Sequence, residues 1–167
     1  MRLVLGILVM AMASVCYGQA SKSNSSSLFG CYVQSHKTLV YTGTNSEWQL
    51  VEDYLGIRSK SKSEVEFELE IVRENGHVCG ASGTARLDRV GNRQVVKMIP
   101  QPRPEYAGPD FKTCSLSILI RANSFHVETE GDCHEHFMCG ARAHLDGAEI
   151  SRRHRKALTK DVPCFRR

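Results

Sequence analysis

Glu64-Val65-Glu66-Phe67-Glu68-Leu69-Glu70-Ile71 decides the fold class. Its alternation sets Val65, Phe67, Leu69 and Ile71 on one face and four glutamates on the other. A period of two is that of a half-buried strand; on a helix the same residues would scatter around the axis. Asn75-Gly76 follows, the strongest short-range hairpin signal, and His77 to Leu87 returns as the partner strand. A two-residue loop would set Leu69 opposite Ser82. A three-residue loop, Glu74 to Gly76 with Gly76 left-handed, instead pairs Ile71 with Cys79, Leu69 with Ala81, Phe67 with Gly83 and Val65 with Ala85. One residue of slip turns every side chain to the other face, and only the bulged register keeps one face apolar. That register is therefore expected. Its partner strand turns only small residues inward, so either large side chains from across the core or a ligand must fill the space.

Working outward, Leu28 to Val33 reads as a first short strand. Trp48, Val51 and Leu55 recur at helical spacing behind Ser46, which predicts a short helix over 46–54. Leu55 to Ser59 then feeds the central hairpin through Lys60-Ser61-Lys62-Ser63. Beyond it come a strand from Gln94 to Ile99 and a loop from Pro100 to Pro109 that holds four of the five prolines. Thr113 to Arg121 and Phe125 to Glu130 form a second hairpin over Ala122-Asn123, and Met138 to Ala148 a last strand. The fold class is all-β: a small antiparallel barrel or sandwich of about seven strands.

Residues 1–18 carry Arg2, an apolar run from Leu3 to Val15 and small residues ending at Gly18, the pattern of a signal peptide. Ser-rich 19–27 reads as a disordered leader, 28–150 as a single β-domain and 151–167 as a basic tail. Localisation is then exported, periplasmic or secreted. Cys31, Cys79, Cys114, Cys133, Cys139 and Cys164 remain after cleavage, an even number that in an oxidising compartment reads as disulfides. If neighbouring strands run antiparallel, the Asn75-Gly76 turn, the proline loop and the Gly131-to-Phe137 loop share one end, with Cys79, Cys114, Cys133 and Cys139. Cys31 and Cys164 are left to staple the termini. Of the three pairings open to the other four, Cys79 with Cys114 and Cys133 with Cys139 is the first expectation, since the short second gap closes easily.

The net charge of +4 is uneven. Arg152, Arg153, Arg155, Lys156, Lys160, Arg166 and Arg167 stand against Asp161 in the tail, which leaves an acidic body. Such tails are most often solvated; export disfavours nucleic acid, and membrane contact is expected only through the tail. There is no Gly-x-Ser-x-Gly elbow, His-Glu-x-x-His, phosphate loop or dinucleotide fingerprint, and oxidised cysteines are not nucleophiles. The reading is not an enzyme, with no cofactor. His134-Glu135-His136, with His77 near, is the one cluster with metal-ligand chemistry.

Gly56 and Ile57, Phe67 and Leu69, Asn75-Gly76-His77 with Cys79, Gly83 and Ala85, Cys114-x-Leu116, and Cys133 before Cys139-Gly140-Ala141-Arg142-Ala143 together resemble a known domain. It is a small exported β-domain of bacterial envelope proteins, some named lysozyme-inhibitor-like, of the LprI type. The resemblance spans roughly residues 54–148; Cys31, Cys164 and the tail lie outside it. It implies a non-catalytic binding protein, with an envelope or host protein such as a lysozyme as partner. The working surface is expected at the disulfide-rich end, at Asn75, His77, His134, Glu135 and His136. Lysozymes are commonly basic, so the acidic body rather than the tail would make the contact. The alternatives are a lipocalin-like barrel carrying a small ligand beside Ala81 and Gly83, and a histidine-based metal binder.

Overall fold

The central hairpin forms in the bulged register. In the computed structural model, which describes residues 28–98, 114–131, 133, 136–140 and 143–166, Glu64–Val72 pairs antiparallel with Val78–Val90. Ile71 faces Cys79, Leu69 faces Ala81, Phe67 faces Gly83 and Val65 faces Ala85. A 3-10 turn over Glu74–Gly76 closes it, with the Gly76 N–H donated to the Arg73 carbonyl at 3.2 Å. Gly76 (φ 67°) is left-handed as the bulge requires, and Asn75 (φ 58°) joins it, a conformation asparagine tolerates better than most residues.

Ten strands form one antiparallel sheet, curled into a half-barrel. We number them β1 (Gly30–Thr42), β2 (Asn45–Ser59), β3 (Glu64–Val72), β4 (Val78–Val90), β5 (Arg93–Met98), β6 (Cys114–Ile120), β7 (Ser124–Gly131), β8 (Met138–Cys139), β9 (Glu149–Ser151) and β10 (Arg155–Lys156). The order across the sheet is β10-β1-β2-β3-β4-β5-β6-β7-β9, with β8 on β4. Curling brings the two ends together: the Ser151 N–H donates to Gln34 at 3.0 Å, and the Tyr32 ring meets Phe125 edge-on at 4.6 Å. Phe67, Leu69, Leu116, Ile118, Phe125 and their neighbours fill the concave face. Each such side chain is worth about 1.5–3 kcal/mol when fully buried.

Four expectations need correction. The helix over 46–54 is strand: β2 pairs with β1 residue by residue from Asn45–Thr42 to Ile57–Gly30. A long partner ladder overrides the spacing of Trp48, Val51 and Leu55, as context commonly overrides local propensity. The strand expected over 138–148 divides instead. β8 joins β4, a turn at Leu145–Gly147 intervenes (Gly147 φ 71°), and β9 joins β7. The disulfides are Cys31–Cys164, as expected, but Cys79–Cys139 and Cys114–Cys133. Cys139 lies directly opposite Cys79 in the β8–β4 pair, and Cys133 follows Gly131, the register partner of Cys114. Neighbouring strands, not the shortest gap in sequence, set these two bridges. The expected strand from Leu28 to Val33 also runs much further, to Thr42.

The C-terminal segment is stitched down rather than hanging free. β10 pairs with Cys31 and Tyr32, and Cys164 bonds Cys31. Val162 packs with Val33, and Phe165 lies over Gly56, where a Cβ would meet its ring at 2.7 Å. Glutamates of β3 face this segment: Arg58 pairs with Glu66 and sits 4.4 Å over the Phe165 ring, and Glu68 accepts the Phe165 N–H. The Tyr54 hydroxyl donates to Glu70 at 3.2 Å. Burial, reinforced by Glu68 and Glu70, pushes that hydroxyl's pKa well up. The expected signal peptide over 1–18, the expected leader over 19–27 and the expected proline loop lie outside the described residues.

Candidate functional site

Register places the cleft. β2 outruns β3 by several residues, so the β1–β2 hairpin continues past the Glu74–Gly76 turn, which folds across it. The Thr38 hydroxyl donates to the Arg73 carbonyl at 3.2 Å, and Val40 packs against Gly76. Between them opens a cavity of about 510 Å³ lined by His36, Lys37, Arg73, Asn75, His77 and His144, with Thr38, Val72 and Glu74. Arg73 Nε donates to the His144 carbonyl at 3.2 Å and so ties the turn to the segment before β9. His77 is held from below: a Cβ on Gly140 would lie 3.4 Å from its Nδ1, and the Cys79–Cys139 bridge fixes both chains.

Asp53 is buried beneath this wall. One carboxylate oxygen accepts the Val72 N–H at 2.8 Å, and the other lies 3.5 Å from His36 Nδ1. His36 Nδ1 is itself buried and has no hydrogen bond of good geometry among the described residues. Burial raises the Asp53 pKa, against the opposing pull of the Val72 N–H, His36 and Arg73. A His–Asp pair can orient a general base, but it needs a nucleophile in reach. The Thr38 hydroxyl, the near candidate, is committed to a carbonyl.

Of the residues expected here from sequence, the structure brings Asn75 and His77 into one cleft. His136 stands in a turn outside its lining, and His134 and Glu135 lie outside the described residues. Among the described residues no group of three or more His, Cys, Asp or Glu is placed to hold a metal ion. A smaller cavity of about 210 Å³ adjoins through His144, lined by Cys133, Phe137, Cys139 and Leu145 among others. His36, Asp53, Arg73 and His144 went unread in the sequence. Asp53 had a usable signal, since it shares the inward phase of Leu55 and Ile57, but a helical reading of 46–54 hides that phase. No known protein family, curated protein or solved structure matches this chain.

Proposed function

We propose that this chain is a non-catalytic exported binding protein that holds a protein partner at the cleft between the Glu74–Gly76 turn and β1. The carrying observation is that Asn75 and His77, expected together at the working surface, line one cavity with Arg73, Lys37, His36 and His144, which come from other parts of the chain or went unread. A turn braced by a disulfide and by hydrogen bonds presents side chains at little entropic cost, as a binding surface requires. Three disulfides suit the oxidising compartment that export implies. Guanidinium, ammonium and imidazole donors complement the paired carboxylates of a glycosidase, so a lysozyme is the partner class proposed. The basic C-terminal segment does not speak against it: Arg155 and Lys156 are in register with Tyr32 and Cys31 at the start of β1, several residues from the His36-to-Thr38 stretch that lines the cleft. A carrier barrel is less well supported, because Met98 Cε occupies the space beside Gly83, 3.1 Å from where a Cβ would stand.

Lysis assays with animal-type and goose-type lysozymes, with and without the chain, test this. Inhibition of at least one is expected, weakened by Arg73→Ala and His77→Ala with the fold intact. Activity of both enzymes untouched at saturating chain would refute the lysozyme reading.

A further inference from the structure

Beyond Val40 the β1–β2 hairpin is a ribbon with no neighbour among the described residues, and its two faces differ. Every residue from Tyr41 to Leu50 is exposed. Register sets Leu39 opposite Trp48, Tyr41 opposite Ser46 and Lys37 opposite Leu50. Strand alternation therefore gathers Leu39, Tyr41, Trp48 and Leu50 on the convex face, the side opposite the core position of Tyr32 and Leu55. Tyr41, Trp48 and Leu50 are 65%, 68% and 71% exposed. The only Lys, Arg, Asp or Glu between Thr38 and Leu50 is Glu47. It is in register with Val40 on the other face, where Gln49 donates to it at 2.6 Å.

We propose that this face is a lipid-contacting surface, on which Trp48, Tyr41, Leu39 and Leu50 enter the headgroup–acyl boundary of a phospholipid bilayer while Lys37 meets the phosphates. Three arguments select lipid. Trp and Tyr carry a large apolar body with one polar handle, which suits them to the membrane boundary. The apolar part of the face, from Leu39 to Leu50, holds no charge that would have to be dehydrated, and the face's charged residues, Lys37 and Glu52, stand together at the root, where long side chains reach the headgroups. The area also decides: the exposed side chains offer about 400 Å², roughly half of the ~800 Å² a stable protein interface takes from each partner. A second copy packed face to face is thus too weakly held. A convex ribbon also lacks the water-excluding rim that protein hot spots need. Insertion of this kind requires no membrane-spanning helix, and none of the described helices could span. Lys37 also lines the edge of the cleft; the apolar face of Leu39, Tyr41, Trp48 and Leu50 shares no residue with it.

Trp48 is the only tryptophan, so its fluorescence reports on this face alone. The full exported chain is titrated with vesicles of phosphatidylcholine, with and without added phosphatidylglycerol. Trp48 emission should move to shorter wavelength with both and be quenched by bromine-labelled acyl chains. The double variant Tyr41→Ser, Leu50→Ser should partition about tenfold less or weaker still while its circular dichroism and Tm stay unchanged. Three results would overturn the proposal. One is emission unaltered by any vesicle. Another is a shift that follows protein concentration without lipid, which would assign the face to a second copy. The third is binding that needs phosphatidylglycerol, disappears in salt and survives the double variant, which would assign it to the C-terminal cations.

Discussion

The β1–β2 hairpin contains both extremes of this molecule. At its root each face is covered: Tyr32, Leu55 and Ile57 point into the half-barrel, while Cys31 and Val33 lie under Val162 and Cys164. A few residues further on, the same two strands keep the same ladder and alternation, and among the described residues nothing covers either face. Alternation thus tells which side chains share a face, but burial is decided by what lies opposite. Isolated two-stranded hairpins are marginal in water. This one is anchored through Thr38 to Arg73 and Val40 to Gly76, and freed beyond them.

The contrast predicts where substitutions cost stability. Phe67→Ala empties a fully buried position on the covered side. It should cost about 3–5 kcal/mol, read as a lower urea midpoint with an unchanged slope. A cost below about 1 kcal/mol would mean that the sheet's concave face is not the core. Next comes the staple. Cys31–Cys164 closes 133 residues of chain and holds the C-terminal segment on the root. Replacing both cysteines by alanine should cost about 2–5 kcal/mol and expose the segment to proteolysis. Resistance of that segment in the variant would show that β10 and Phe165 alone hold it.

A smaller effect comes from Asp53, at the border of the two regions. Its folded pKa lies above the unfolded value because of burial. A carboxyl shifted upward favours the fold below its unfolded pKa of about 4, and that contribution is lost as pH rises through the folded value. Asp53→Asn keeps an oxygen for the Val72 N–H and removes the loss. The Tm of the variant minus that of the parent should therefore rise by a few degrees from acid towards neutral pH. A difference that is flat across that range would mean Asp53 ionises as freely folded as unfolded.

Where pattern and partner agreed, the sequence was legible. Val65 to Ile71 and the small residues of β4 fixed the central register in advance, because only one slip keeps an apolar face. Ile118 opposite Val127 and Ile120 opposite Phe125 were legible for the same reason. Trp48, Val51 and Leu55 misled because Trp48 stands on the uncovered ribbon, on the face opposite Val51 and the buried Leu55, so the three together carry no single-face signal for a strand. The Cys79–Cys139 bridge depends on β8 crossing to β4, a long-range pairing that no local pattern encodes, and it leaves Cys114 to Cys133, which follows its register partner Gly131. The cleft was half legible: its turn residues could be read, but His36, Arg73 and His144 reach it only through the curl of the sheet.

The smallest expected effect is the most searching test of the comparison. Trp48→Ser removes the largest side chain of the ribbon, a change that in a core would cost several kcal/mol. Here the indole is mostly in water already, so folding gains little from it, and stability should change by no more than about 0.5 kcal/mol. Hydrogen exchange gives the matching observation, since ribbon and core have equally complete ladders and differ only in what covers them. Amides between Leu39 and Leu50 should exchange by local opening, while those of Leu116 and Ile118 should exchange only near the global unfolding free energy. A large destabilisation by Trp48→Ser, or equal protection of ribbon and core, would mean that the ribbon packs against part of its own chain. In that case the convex face is not free to meet a membrane.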